Sequence, residues 1–475
     1  MATGYSRFVS ALVVLMVFVS QESIAQEKNR FGFCEWSKGW PMCLITDSPE
    51  LLGNRIPVIL IHGWEMKGIP GVPDLTVWPR LVDYLQRFSW FREKYRLYYV
   101  SYYSNLQSLD AMGQIFRDLV DSMSLADPEF RRKQLVLIGF SMGGLLARAC
   151  MQEPLFGGGA GQLGGDKVLK LITLGSPHHG SPFANGPARD VKAGWWLELL
   201  HQFVDGSLFG FDIRWYMHNR SDLHWDNYDG LFDYEGSSEN NFWLKRLNAD
   251  TSFNYKISVY GGEVTPSDGI YDCFNLNLKY CLAAIMNIVL GIKQSDGLVP
   301  FTSALFEPCT GCGSVHPFLD YNHSEMVRGK TADDPLFQRV AEDLFGALLV
   351  GRWRISLTGH TAYGQGPSIR WIELDLSQPL SAWNPSWRNL PFWPNPSPLL
   401  ARWSDSAGCR AGIETDNPYI FGDVSEGFEI SIGVEHHYCN DDTDFYLHGT
   451  ADKKLNVITG TCGGGLNCRF TMVKR

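Results

Sequence analysis

Residues 135–148 read LVLIGFSMGGLLAR: an apolar run of strand length, then Gly-Phe-Ser-Met-Gly, then a second apolar run of helical character. Ser141 carries the only hydroxyl in the stretch. A chain passing straight from a buried strand into a helix turns so sharply that the turn residue stands proud of the sheet. Glycines beside it, here Gly139, Gly143 and Gly144, remove side chains that would collide in the turn. G-x-S-x-G in a strand–turn–helix context therefore predicts a nucleophile elbow with Ser141 at its tip. A serine hydroxyl becomes nucleophilic only beside a base that takes its proton and a third group that orients the base. The partners must come from elsewhere in the chain.

The surrounding pattern predicts the sheet such an elbow needs. IPVILIHGW (56–64), YRLYYVSYY (95–103), QLVLIGF, VLKLITLG and YKISVYGG read as strands, and LDAMGQIFRDLVDSM (109–123) and residues 142 to about 152 as helices. Strands alternating with helices indicate an α/β domain on a mostly parallel sheet. Between residues 181 and 254 the alternation breaks into GWWLELLHQFV, LFGFDIRWYMH and NNFWLKRL. This aromatic-rich insertion reads either as a helical subdomain or as a cap lining an apolar cleft. Beyond residue 350, short alternating runs such as PSIRWIELDLS and FEISIGVEHHY, separated by Pro, Gly, Asn and Asp, predict an all-β, sandwich-like C-terminal domain over 351–475. GGGAGQLGG contains G-x-G-x-x-G, but it follows a helix and precedes a strand, the reverse of a dinucleotide fingerprint, and reads as a loop.

The N-terminus places Arg7 before an apolar run from Phe8 to Val19, with Ser23 and Ala25 as an S-x-A cleavage site. Residues 1–25 thus read as a secretory signal, leaving a hydrolase domain over 26–350 and no transmembrane anchor after signal removal. The 11 cysteines fit export to an oxidising compartment, either secretion or the periplasm. Cys34 and Cys43, Cys273 and Cys281, Cys309 and Cys312, and Cys462 and Cys468 form short-range couples, and Cys409 and Cys439 a fifth pair, which leaves Cys150 as a buried thiol. Zinc is the alternative for the glycine-flanked couples, but no second C-x-x-C or paired histidine follows Cys309 and Cys312 at finger spacing. A formal charge of −10 without basic runs argues against a nucleic-acid partner.

Together the elbow and its neighbours resemble the α/β-hydrolase superfamily and, within it, secreted bacterial-type lipases and esterases. ITLGSPHHGSPFA resembles the TxGTPHxGS stretch of those lipases, SDGLVPFTSA their NDGLVxxxS segment, and NHSEMV the segment carrying their histidine; the matches run in order over roughly 56–327. Phe140 and Met142 flank the serine where those lipases more often have His and Gln. The resemblance implies Asp296 as the acid and His323 as the base, in the chain order Ser, acid, His. Glu263, Asp268, Asp272 and Asp320 are rival acids and His316 a rival base, while His178 and His179 precede the acid and suit packing or cleft polarity. The backbone N–H groups of Met142 and Trp64 are the expected oxyanion hole, with His62 and Gly63 shaping the turn.

The implied reaction is acyl transfer from a carboxylic ester through an acyl-enzyme, which requires no cofactor. Some resembled lipases hold calcium near the histidine loop, and Glu325 stands at the corresponding position. Asn219 and Asn322 open glycosylation sequons, the second too near His323 for a glycan to leave the cleft open. Expected partners are a lipid or ester substrate, an interface or a polymer surface. Polyester depolymerase and phospholipase are alternatives within the class. A polymer-binding protein on an inactive hydrolase scaffold is the alternative outside it, suggested by the tryptophan-rich NPSWRNLPFWPNPSP.

Overall fold

The computed structural model describes residues 31–35, 42–46, 52–64, 77–102, 107–153, 162–184, 221–225, 241–264, 283–284, 286–287, 292–309, 311–360, 370–377, 379–382, 401–405, 410–411, 419–425, 428–435, 437–438, 441–442, 445–452, 457–464 and 467–475. The signal-like N-terminus, most of the 181–254 insertion, the proline-rich loop, Asp268, Asp272, Asn219, Cys273, Cys281, Cys409 and Cys439 lie outside the described residues.

Strands β1 (Phe31–Glu35), β2 (Met42–Thr46), β3 (Ile56–Ile61), β4 (Tyr95–Ser101), β5 (Leu135–Phe140), β6 (Val168–Leu174), β7 (Ile257–Glu263) and β8 (Ser314–Leu319) form one sheet in the order β1-β2-β4-β3-β5-β6-β7-β8. The first two pairings, β1 with β2 and β2 with β4, are antiparallel, and the rest are parallel. Every residue of β5, β6 and β7 is buried, and β5, at the centre of the sheet, is accordingly spelled as an unbroken run of apolar residues and glycine. Cys34 and Cys43 are directly opposed in the β1–β2 register.

Helices cover both faces. On one lie α1 (Leu109–Ala126) and α2 (Met142–Gln152), burying Met112, Phe116, Leu145 and Leu146 against β3 and β5. α1 starts at Ser108, whose Oγ accepts from Ala111 N–H at 3.3 Å, so a first-turn donor is satisfied. On the same face α3 (Phe242–Ala249) is the described part of the insertion's exit, capped by Asn241. The opposite face is covered by α4 (Pro335–Ala347), which opens on an Asp334 cap with Pro335 at its first position.

α4 is buried nearly all round because a second sheet closes over it. β9 (Gly351–His360), β10 (Trp371–Leu376), β11 (Ser381–Ala382), β12 (Ala401–Asp405), β13 (Arg410–Ala411), β14 (Tyr419–Ser425) and β15 (Glu429–Glu435) belong to it. A separate two-stranded pair, β16 (His437–Tyr438) with β17 (Asp441–Asp442), precedes its last strands, β18 (Phe445–Ala451), β19 (Val457–Gly464) and β20 (Asn467–Lys474). The ten strands are hydrogen-bonded in one continuous sheet, antiparallel except between β11 and β14. Trp353, Ile355, Ile372, Leu374, Ile430, Phe470 and Met472 alternate onto its buried face. That face merges with the first core through α4: Phe345 stacks on Phe428 with centroids 4.4 Å apart, and Trp90 meets both edge-on. Burial of each large apolar side chain contributes about 1.5–3 kcal/mol, so this junction is a core and not a tether.

One charge pair is buried at the α4–sheet contact. Lys170 on β6 and Asp343 on α4, both 0% exposed, approach at 3.3 Å, and Asp343 also accepts from the Tyr260 hydroxyl at 2.7 Å.

Candidate active site

β5 ends at Phe140, α2 begins at Met142, and Ser141 between them has φ 52° and ψ −128°. A non-glycine residue held there stores on the order of 1–3 kcal/mol of strain, which the surroundings must over-determine. Ser141 N–H donates to Leu174 O at 2.9 Å, tying the elbow to the end of β6. The glycines act through close approach. A β-carbon on Gly139 would lie 2.6 Å from Gly144 Cα, and one on Gly143 would enter the carbonyl oxygens of Ile61 and His62. The G-x-S-x-G spelling is thus the steric record of a turn pressed against β3.

The loops after β7 and β8 bring two more groups to the elbow. His323 Nε2 stands 2.8 Å from Ser141 Oγ, and its Nδ1 stands 2.7 Å from Asp296 Oδ2. Asp296 is 1% exposed, and its other oxygen accepts from Leu298 N–H at 2.9 Å and Val299 N–H at 2.7 Å. His323 N–H donates to Asp296 O at 2.9 Å, so the backbone couples the two loops as well. The imidazole lies against Phe140, centroids 5.0 Å apart. Ser141 and His323 are only partly buried, which leaves the line open on one side.

Met142 is the first residue of α2, and Trp64 follows β3 by three positions. Gly63 brings that loop onto the elbow: a β-carbon there would lie 2.7 Å from Ser141 Cβ. The rival residues are engaged elsewhere. Glu263 accepts from Gln294 at 3.2 Å, Asp320 pairs with Lys330 at 2.9 Å on the surface, and His316 bonds Ser314 at 3.0 Å near Asp343. Glu325 and Asn322 cap one another: Glu325 Oε2 accepts from Asn322 N–H at 2.9 Å, and Asn322 Oδ1 from Glu325 N–H at 3.0 Å. Among the described residues no group of three or more metal-ligating side chains is assembled.

The SPHHG segment is a buried brace. His178 Nδ1 faces Arg148 Nη1 at 3.1 Å, so that nitrogen accepts, and Nε2–H donates to Thr173 Oγ1 at 3.0 Å. Phe306 lies beneath both, its ring 4.1 Å from the guanidinium carbon. Burial pulls Arg148 down to about 9, with Asp250 opposing the shift. His179 N–H donates to Ser303 Oγ at 2.9 Å, and Ser303 donates on to Gly180 O at 2.8 Å. Ser303 and Arg148 were not singled out by motif; a lone serine in VPFTSA and a lone arginine in an apolar helix give no local signal.

Burial holds His178 well below 6.5, helped by Arg148 and His179, and it pulls His316 down to about 4 against the attraction of Asp343. The unfolded chain, with histidines near 6.5, therefore takes up protons first as pH falls. The neutral-histidine stability is fully present above about pH 6.5 and drains below it, with a slope of about 1.4 kcal/mol per pH unit for each histidine. Urea midpoints between pH 7 and 5 should fall less steeply in His316→Gln than in the wild type; parallel curves would contradict the assignment.

A sheet ordered β1-β2-β4-β3-β5-β6-β7-β8, with a serine elbow after β5, a carboxylate after β7 and a histidine after β8, is the α/β-hydrolase fold. The family described as PGAP1-like alpha/beta domain matches residues 97–190, from β4 through the elbow and the SPHHG segment. No curated protein matches this sequence. Among solved structures, the mature lipase BlEst2 of Bacillus licheniformis is 15% identical, with 62% of this chain and 95% of that chain covered and a TM-score of 0.38. The naproxen esterase (carboxylesterase NP) of Bacillus subtilis is 12% identical over 66% and 92% of the two chains, with a TM-score of 0.33. Phospholipase PlaB of Legionella pneumophila is 17% identical over 52% and 45%, also with a TM-score of 0.33.

Disulfides join Cys309 to Cys312 and Cys462 to Cys468, Cys43 is disulfide-bonded as well, and Cys150 is a buried thiol. Among the described residues no helix is long and apolar enough to cross a membrane.

Proposed function

We propose that the protein is a serine hydrolase that cleaves carboxylic esters, lipase- or esterase-like, through an acyl-enzyme on Ser141. The observation that carries this reading is the continuous line Ser141 Oγ, His323 Nε2, His323 Nδ1, Asp296 Oδ2, with contacts of 2.8 and 2.7 Å. In the first step His323 Nε2 takes the serine proton as Oγ attacks the ester carbonyl. Asp296 keeps Nδ1 protonated and supports the imidazolium that forms. The N–H groups of Met142 and Trp64 receive the developing oxyanion. His323 then gives its proton to the departing alkoxide. Water, deprotonated by the same nitrogen, attacks the acyl-enzyme, and Ser141 is restored with release of the carboxylic acid.

The signal-like residues 1–25 and the disulfides Cys309–Cys312 and Cys462–Cys468 support export to an oxidising compartment. Substrates with an apolar acyl chain are favoured by the aromatic-rich 181–254 segment and by Phe140 beside the imidazole. The test is labelling of the mature protein by a fluorescent alkyl phosphonate, together with hydrolysis of chromogenic esters of graded acyl length. Label on Ser141 with turnover rising towards long chains is expected. Turnover confined to short chains moves the substrate to small esters or a polyester. No label and no turnover would retire the hydrolase reading in favour of a binding role.

A further inference from the structure

We propose that His62 and Tyr102 are positioning residues for the oxyanion site: together they hold the Gly63–Trp64 peptide with its N–H turned to Ser141. This rests on the ester-hydrolase reading and deepens it, because it assigns a task to two side chains that touch no substrate.

His62 lies directly after β3 and is 1% exposed, and its Nδ1 stands 2.8 Å from Gly63 O. A carbonyl can only accept, so Nδ1 carries the proton and donates. Across a planar trans peptide the C=O and N–H point in opposite directions. With Gly63 O turned to the imidazole, Trp64 N–H is turned away from it. Gly63 itself stands against the elbow, where a β-carbon would be 3.3 Å from Ser141 Oγ.

The arrangement answers a problem that the glycine creates. Gly63 must lack a side chain to approach Ser141, yet a glycine permits backbone rotations that other residues resist. A flip of the Gly63–Trp64 peptide would present a carbonyl oxygen where negative charge develops, and repulsion would replace stabilisation. The His62 Nδ1–H bond opposes that flip. Tyr102, directly after β4, secures the preceding peptide: its hydroxyl donates to His62 O at 2.5 Å. Its ring stacks on the imidazole with centroids 4.2 Å apart and planes 23° from parallel, which fixes the orientation of Nδ1.

The experiment compares His62→Ala, His62→Asn and Tyr102→Phe with the wild type. The readouts are kcat and KM on a chromogenic ester, the inhibition constant of a trifluoromethyl ketone whose serine adduct carries an oxyanion, and the melting temperature. His62→Ala should lower kcat by ~100-fold or more at unchanged KM, as loss of an oxyanion donor does, and should weaken the ketone by a similar factor. His62→Asn, whose amide nitrogen lies close to the Nδ1 position, should recover most of both. Tyr102→Phe, which keeps the stack, should lose about three- to tenfold in kcat, the worth of one hydrogen bond. Equal losses in the alanine and asparagine variants, or a raised KM with kcat intact, overturn the proposal. If His62→Ala does not fold, Tyr102→Phe decides: unchanged kcat and ketone affinity overturn the proposal. A wild type that takes no phosphonate and turns over no ester overturns the hydrolase reading and the proposal with it. A wild type that does both, equalled by His62→Ala, overturns the positioning role alone.

Discussion

Ser141→Ala is expected to lower kcat on any ester the protein turns over by ~10⁶-fold, while the melting temperature stays within a few degrees of the wild type. The size follows from the way the site is built. Only Oγ stands 2.8 Å from His323 Nε2, so removing it leaves a base with no nucleophile to activate. The strained turn persists, since alanine at φ 52° loses no backbone bond and Ser141 N–H still reaches Leu174 O. His323→Ala should cost about as much, and the double variant should cost little more than either, because base and nucleophile act as one unit. Additive losses would point to two independent contributions and sink the relay. Steady-state kinetics beside thermal unfolding of the three variants checks all of this.

The elbow was legible because its chemistry is local. A sharp strand-to-helix turn can be spelled with few residues, and Gly139, Ser141 and Gly143 occupy their places for steric reasons that survive in the sequence alone. β5 and β6 were legible for a similar reason, since burial on both faces makes β5 wholly apolar apart from Gly139 and leaves only Lys170 and Thr173 to interrupt β6. Asp296 and His323 were reached differently. Neither turn announces a catalytic group by itself, and only the resemblance of SDGLVPFTSA and NHSEMV to lipase segments, in the same order, singled them out from Glu263, Asp320 and His316.

Other features were silent for physical reasons. β8, spelled SVHPFL, hides a strand behind a histidine and a proline; it runs at the sheet edge, where a proline costs no central ladder bond. β1, at the sheet edge, and β2 beside it are short strands, and the pairing of β2 with β4 depends on a partner elsewhere in the sequence. α4 was within reach, because Asp334 directly before PLFQRVAEDLFGA, with Pro335 at the first position, is a helix start signal. Its place between two sheets was not, and neither was the Lys170–Asp343 pair, which joins residues 170 and 343 through tertiary packing alone. The C-terminal strands were legible by alternation, but one continuous ten-stranded sheet cannot be told from two facing sheets without knowing which edges pair.

Asp296→Asn tests the third member of the line more sharply than a truncation would. Asp296 Oδ1 is fixed as an acceptor by the N–H groups of Leu298 and Val299, at 2.9 and 2.7 Å. An asparagine must therefore keep its carbonyl oxygen at that position, and its NH₂ falls where Oδ2 stood, 2.7 Å from His323 Nδ1. An amide NH₂ only donates, so Nδ1 must be bare and the proton must move to Nε2. The nitrogen facing Ser141 then carries a hydrogen when it should accept one. The shape of the site is unchanged and its tautomer is wrong, so kcat is expected to fall ~10⁴-fold with KM nearly unaltered. Proton NMR supplies a readout independent of turnover: the low-field Nδ1–H resonance of the wild type should be absent from the variant. A variant that kept kcat within tenfold would remove Asp296 from the relay. Glu263, whose backbone oxygen already accepts from Tyr321 N–H at 3.0 Å beside the histidine loop, would become the next carboxylate to replace.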